Sequence, residues 1–201
     1  MSRKIKILVA CEWSGTVRDA FNSIKGVEAW SCDILPTAKQ GKHIQGNVLN
    51  YLNEGWDCMI AHPPCTYITK AGATLMYKKK GVIDKERLKK NREAVDFFMK
   101  LYNAPIKHIA IENPTPLKIS NLPKYNQVIQ PYEFGEKWSK RTLLWLKELP
   151  ALLPTVYNYN YTSYMKYASK KKRTKFFNGI AQAMAHQWSD FLKKEVNSLV
   201  L

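Results

Sequence analysis

The sequence predicts an α/β fold built on a mostly parallel central sheet flanked by helices. Three observations lead there. Short β-rich apolar runs alternate with helix-like segments through the first third of the chain. Each run stops at a polar or proline residue, at the rim where open parallel sheets bind their ligands. Two longer stretches downstream have helical character and can cover the sheet. At 201 residues the chain can bury a core without disulfide or metal staples. No internal repeat and no linker divides it, so residues 1–201 are expected to form one domain.

KIKILVA (4–10) is the first expected strand, followed by the loop CEWSG and a helix-like TVRDAFNSIK (16–25). VEAWSC (27–32) is the second, ending at Asp33, and WDCMIA (56–61) the third. The third runs into AHPPCTYITKAG (61–72), where two prolines precede Cys65. Proline fixes φ and cannot donate to a ladder, so the pair ends the strand and stiffens the turn that presents the cysteine. Residues 84–102 form the clearest helix, with Asp84 as N-cap and Leu88, Val95, Phe98 and Tyr102 marking an apolar stripe. Its other face is lysine and arginine.

KHIAIE (107–112) is a fourth strand, closed by NPTP. VIQPYEF (128–134) and RTLLWL (141–146) are expected to pair antiparallel. Periodicity is lost over 151–177, a short segment rich in tyrosine, asparagine and lysine. NGIAQAMAHQWSDFLKKEV (178–196) is a closing helix. Glu12, Asp33 and Cys65 all fall just past strand ends, which would place them on one rim.

Thirty-two Lys and Arg against 16 Asp and Glu give a formal charge of +16, which points to a polyanionic partner, most commonly nucleic acid. Cys11, Cys32, Cys58 and Cys65 show no CxxC or Cys/His spacing, so no metal site is expected. ILVA is too short for a secretory signal, and no apolar stretch reaches the roughly 18 residues of a membrane span. Reduced thiols in a cytoplasm fit best.

The order of the pieces is more specific than any one of them. A strand ending in Pro63, Pro64 and Cys65 is followed by one ending in Ile111, Glu112 and Asn113. Then come Arg141 in SKRTLLWL and Asn178, Gly179, Ile180 and Ala181 at the start of the last helix. From about residue 4 to 190 the chain resembles the DNA cytosine-5 methyltransferases, particularly their short phage-type members. The resemblance implies a Rossmann-like methyltransferase domain in the cytoplasm of a bacterial host, taken here as a monomer. In that reading, Cys65 adds to C6 of a cytosine flipped out of DNA. Glu112 holds N3 and the exocyclic amine and donates a proton, and Arg141 orients the base at its ring carbonyl.

The resemblance also implies S-adenosylmethionine as cofactor. Asp33 would hold its ribose, Ile34 would pack on the adenine, and Gly46 and Asn47 match the motif that reads the adenine amine. Glu12 could hold the methionine amine, with Trp13, Gly15, Pro63 and Asn178 completing the site. Two departures stand out. ACEWSG keeps only Gly15 where the family has a Phe-x-Gly-x-Gly loop, and His62 stands where the family has a small residue.

Lys78, Lys79 and Lys80 match the position of the family's mobile DNA-closing loop. Lys171, Lys172 and Arg173 lie among aromatics in 166–175, a pattern suited to phosphates and stacking. Only about 30 residues stand in for a target-recognition region, which is thus reduced or absent. Two alternatives stay open on the sequence. One is C5 chemistry on a pyrimidine of RNA or a nucleotide; the other is a degenerate scaffold that binds DNA or a partner without methyl transfer.

Overall fold

The computed structural model describes residues 3–79, 81–157, 161–163 and 176–198. In chain order the strands are β1 (Ile5–Ala10), β2 (Val27–Asp33), β3 (His43–Gln45), β4 (Cys58–Ala61), β5 (Tyr77–Lys79), β6 (Val82–Ile83), β7 (His108–Asn113), β8 (Gln127–Ile129), β9 (Trp138–Ser139), β10 (Thr142–Lys147) and β11 (Thr162–Ser163). The helices are α1 (Thr16–Asn22), α2 (Ala73–Met76), α3 (Lys85–Tyr102) and α4 (Asn178–Ser198). Seven strands form one sheet in the order β3-β2-β1-β4-β7-β10-β8.

The pairs β1–β2, β1–β4, β2–β3 and β4–β7 are parallel, whereas β10 runs antiparallel to both β7 and β8. This is the mixed, mostly parallel sheet that the sequence predicts. The chain winds outward from β1 to β3 and then resumes on the other side at β4. That reversal opens a crevice at the carboxyl ends of β1 and β4, the usual ligand position in such sheets.

Side chains alternate across the sheet with period two and so build two cores. Ile5, Ile7 and Val9 of β1, Cys58 and Ile60 of β4, Ala110 of β7 and Leu144 of β10 pack against α1 and α4. Leu8, Ala10, Met59, Ala61, Ile109, Ile111, Leu143 and Trp145 pack on the α3 side. The same parity, carried past the strand ends, decides which side of the rim each functional residue faces.

Asp84 caps α3 as expected, its carboxylate accepting the Arg87 N–H at 3.0 Å. The buried centre of that helix differs from the expected stripe. It consists of Asn91, Phe98 and Leu101. Asn91 is buried because its amide donates to the Tyr67 carbonyl (2.7 Å) and to Ser120 Oγ (2.8 Å), anchoring the turn after Cys65.

The pairing of 128–134 with 141–146 holds only as far as Ile129. Pro131 begins a 3-10 turn, Pro131–Phe134, because it cannot continue a ladder. The short strand β3 carries no sequence pattern that predicts it, and α1 ends at Asn22 rather than 25.

Candidate active site

At the end of β1 the chain turns through Cys11 in the left-handed region (φ 58°). Glu12 is buried here, and its carboxylate accepts the N–H of Val17 (2.7 Å) and Arg18 (3.1 Å) and the Ser14 hydroxyl (3.1 Å). It therefore caps α1, a role that sequence alone did not suggest. Gly15 adopts φ 72° just before the helix, and a Cβ there would lie 2.4 Å from the Arg18 guanidinium. Its lack of a side chain thus serves Arg18. That arginine is fully buried and reaches Ser31 Oγ, Thr37 Oγ1, and the carbonyls of Lys39 and Gln40 at 3.1–3.3 Å. It pins the loop that leaves β2.

A cavity of about 510 Å³ opens at the carboxyl ends of β1, β2 and β4, lined by Cys11, Asp33, Ile34, Asn47, Pro64 and Phe97 among others. Four of the expected cofactor residues, Asp33, Ile34, Gly46 and Asn47, meet in it. Ile34 is 72% exposed at its lip. Asp33 Oδ1 accepts the Leu35 N–H at 2.9 Å, which holds the turn. Asn47 Oδ1 caps the turn Val48–Tyr51 through the Leu49 N–H at 3.1 Å.

Burial, then the charge of Asp33, pushes the Cys11 thiol up to about 12 and that of Cys32 to about 11. Both stay protonated at neutral pH and behave as small apolar groups. Gly15 and Asn178 do not line this cavity. Asn178 is exposed at the start of α4, where the Gly179 N–H donates to Glu136 Oε1 at 3.2 Å.

The Pro-Pro-Cys turn is held from two sides. The Asn113 amide donates to the buried Pro63 carbonyl at 3.2 Å. Past the cysteine, the Lys70 N–H donates to Thr115 and the Leu117 N–H to Ile68, zipping the turn to the segment after β7. The Cys65 carbonyl accepts the N–H groups of Ile68 and Thr69. Its side chain is partly buried. Burial and then the charge of Glu112 push the thiol up, and Lys140 pulls it back down.

Glu112 lies in a small chamber of about 70 Å³ lined by Cys11, Glu12, Trp13, Ser14, His62, Lys140 and Phe176. His62 Nδ1 is 3.3 Å from Glu112 Oε2, and the Phe176 ring rests 4.5 Å from the imidazole. Burial would raise the Glu112 carboxyl. The hydrogen bond from His62 and the charges of Lys140 and His62 outweigh burial and hold it below its ordinary range. Glu112 is thus an ionised carboxylate, able to accept hydrogen bonds but not to donate one.

Arg141, expected beside Glu112, stands elsewhere. It is exposed, and its guanidinium donates to the Tyr125 hydroxyl at 3.1 Å. Parity gives the reason. Arg141 shares the face of Leu143 and Trp145, which is the α3 side where Tyr125 packs, whereas Lys140 shares the face of Leu144, which pairs with Glu112. The same rule places His62, which follows Cys58 and Ile60 onto the Glu112 side. Register and parity together were the signal that could have identified Lys140 and His62.

Among the expected nucleic-acid residues, Lys79 is exposed at the end of β5. Lys80, Lys171, Lys172 and Arg173 lie outside the described residues, as does the side chain of Lys78. Among the described residues, no helix is long and apolar enough to cross a membrane.

No protein-family model matches the chain, and no curated protein matches it in sequence. Solved structures do resemble it in shape. One is described as a candidate DNA modification methyltransferase encoded within an E. coli prophage, with a TM-score of 0.48 and 14% identity over 77% of this chain and 52% of that one. Another is a methyltransferase of Entamoeba histolytica, with a TM-score of 0.46 and 15% identity over 81% of this chain and 58% of that one. The chain spans little more than half the length of either.

Proposed function

We propose that this protein transfers a methyl group from S-adenosylmethionine to C5 of cytosine in DNA through a covalent bond between Cys65 and C6. One observation carries the proposal. The Pro-Pro-Cys turn follows a strand parallel and adjacent to that of Glu112, with Ala61 paired to Ile111, and the turn is tied to Asn113 beside a cavity at the switch point of the sheet.

The cavity suits the cofactor. Its volume falls in the range of small-molecule sites, and it combines an exposed apolar lip, Ile34, with the Asp33 carboxylate. Asp33 would hold the ribose hydroxyls and Ile34 would cover the purine. Asn47 Oδ1 already caps a turn, so its amide N–H groups are what it offers to a purine edge. Glu12 and Trp13 lie on the chamber side of Cys11, toward the reacting base. Bound there, the cofactor supplies an electrophilic methyl group.

The protein supplies the rest. The Cys65 thiolate attacks C6, and the C5–C6 electron pair moves into the ring, making C5 nucleophilic. Glu112 faces the N3 edge and the exocyclic amine. Lys140, in place of Arg141, neutralises charge that builds on the ring carbonyl. After transfer, loss of the C5 proton and cleavage of the S–C6 bond free the enzyme. The net charge of +16 suits a DNA substrate, and attack at C6 requires the target base to leave the duplex. The chain acts as a single domain in which 151–177 replaces a target-recognition region, in the cytoplasm of a bacterial host.

Nucleoside analysis of DNA incubated with the protein and S-adenosylmethionine tests this. 5-Methyldeoxycytidine is expected with the wild-type protein and absent with Cys65→Ser. RNA and free nucleotides are run in parallel, and methylation confined to either would overturn the DNA assignment.

A further inference from the structure

We propose that His62 is a positioning residue for Glu112 and holds the proton that Glu112 delivers to N3 of the target base. The inference rests on the methyl-transfer reading above and adds a residue that reading does not require.

His62 directly follows β4, and its backbone N–H donates to the Ala10 carbonyl at 2.9 Å, so the sheet itself places the ring. Ala61 pairs with Ile111, which sets His62 beside Glu112 on the next strand. Nδ1 lies 3.3 Å from Oε2, and Phe176 backs the imidazole. His62 Nε2 is buried and has no hydrogen-bond partner among the described residues. A buried polar atom left unpaired is unfavourable, so Nε2 lacks a partner that an entering ligand can supply. The charged and titratable groups facing it are Glu12 from the β1–α1 loop, Cys11, Glu112 from β7 and Lys140 ahead of β10. Cys65 couples to Glu112 and Lys140.

The chemistry explains the need. An ionised Glu112 has no proton of its own to give, yet attack at C6 leaves negative charge on the ring that a proton at N3 relieves. A proton held between His62 Nδ1 and Glu112 Oε2, 3.3 Å apart, can fill that role. As the Sγ–C6 bond forms and the C5–C6 π pair shifts into the ring, a proton passes from Nδ1 to Oε2, and the carboxyl gives a proton to N3. His62 is then neutral, Glu112 is again a carboxylate, and the adduct is neutral. When C5 has lost its proton and the S–C6 bond breaks, the N3 proton returns along the same path. No oxidant or further reactant is needed.

Release of tritium from DNA labelled at cytosine C5, followed without methyl donor across pH, reads this step alone. In the adduct, C5 exchanges its proton with water. The wild-type rate is expected to rise with pH as Cys65 ionises and to fall again at alkaline pH as the His62–Glu112 pair loses its proton. His62→Asn and His62→Gln should exchange at least about tenfold more slowly at neutral pH, with the optimum moved toward acid, where Glu112 carries its own proton. Variants that keep the wild-type rate and profile, or lose rate equally at every pH, would overturn the inference. So would a wild-type profile with no alkaline decline, which decides the matter even if neither variant folds. Absence of any Cys65-dependent exchange in the wild type would remove the methyl-transfer reading itself, a different result from exchange with an unshifted profile.

Discussion

Arg18 and Lys140 show how single side chains set the site at the residue scale. The Arg18 guanidinium is fully buried and bonds two hydroxyls and two backbone carbonyls around the β2–β3 loop. Removing it takes away the cation that ties this loop to α1 and leaves a fully buried site without its hydrogen-bond donors. Arg18→Met is therefore expected to cost at least about 2 kcal/mol in denaturant unfolding. It should also weaken S-adenosylmethionine in calorimetry, since the loop that it pins continues from Asp33. Unchanged stability would show that the loop closes without the arginine.

Lys140 and Arg141 form a sharper contrast, because they are neighbours with opposite environments. Lys140→Met should lower the methylation rate by about 100-fold, the scale of one lost charge-stabilising donor. Arg141→Met should leave that step nearly unchanged. The reverse result would mean that the two side chains exchange places when a base enters.

At the scale of elements, parity and register explain most of what the sequence did and did not disclose. β1, β2, β4 and β7 were legible because each is an apolar run with a hard stop, and Asp84 was legible as a cap because it opens a strongly helical segment. Glu12, Asp33 and Cys65 are placed at the rim by the same stops, whereas Ile34, Asn47 and Glu112 follow from the resemblance. The side chain that faces Glu112 was not legible from motif order alone. It depends on a one-residue phase in the strand before Leu144, and a one-residue shift changes the face. β3 is three residues long and carries no pattern. The resemblance gives Glu12 to the cofactor, whereas in the fold its carboxylate meets the start of α1.

The junction of α4 is equally specific. A Cβ on Gly179 would fall 1.9 Å from the Phe134 carbonyl oxygen, so the helix begins against backbone that cannot yield. Gly179→Ala is expected to destabilise the protein by about 1–3 kcal/mol. A thermal unfolding midpoint equal to wild type would mean that α4 can slide along its neighbour at no cost.

For the whole molecule, the excess of positive charge governs how substrate is reached, while the sheet governs what happens to it. A chain of charge +16 should bind duplex DNA largely by releasing counterions. Its affinity should fall by roughly 10³ between 50 and 200 mM salt if six phosphates are neutralised. A shallow salt slope would place binding in the chamber rather than on the surface.

The raised Cys65 thiol adds a pH requirement with a definite sign. The thiolate fraction is small at neutral pH and increases as pH rises, so covalent capture should accelerate from acid toward mildly alkaline solution. The most direct measurement is intact mass analysis of the protein after incubation with S-adenosylmethionine and a duplex containing 5-fluorodeoxycytidine, whose C5 fluorine cannot leave as a proton. A species with the mass of protein plus methylated strand, lost in Cys65→Ser, is the result expected here. Free protein and unmodified strand, in a mixture where both ligands are shown to bind, would contradict the covalent role of Cys65.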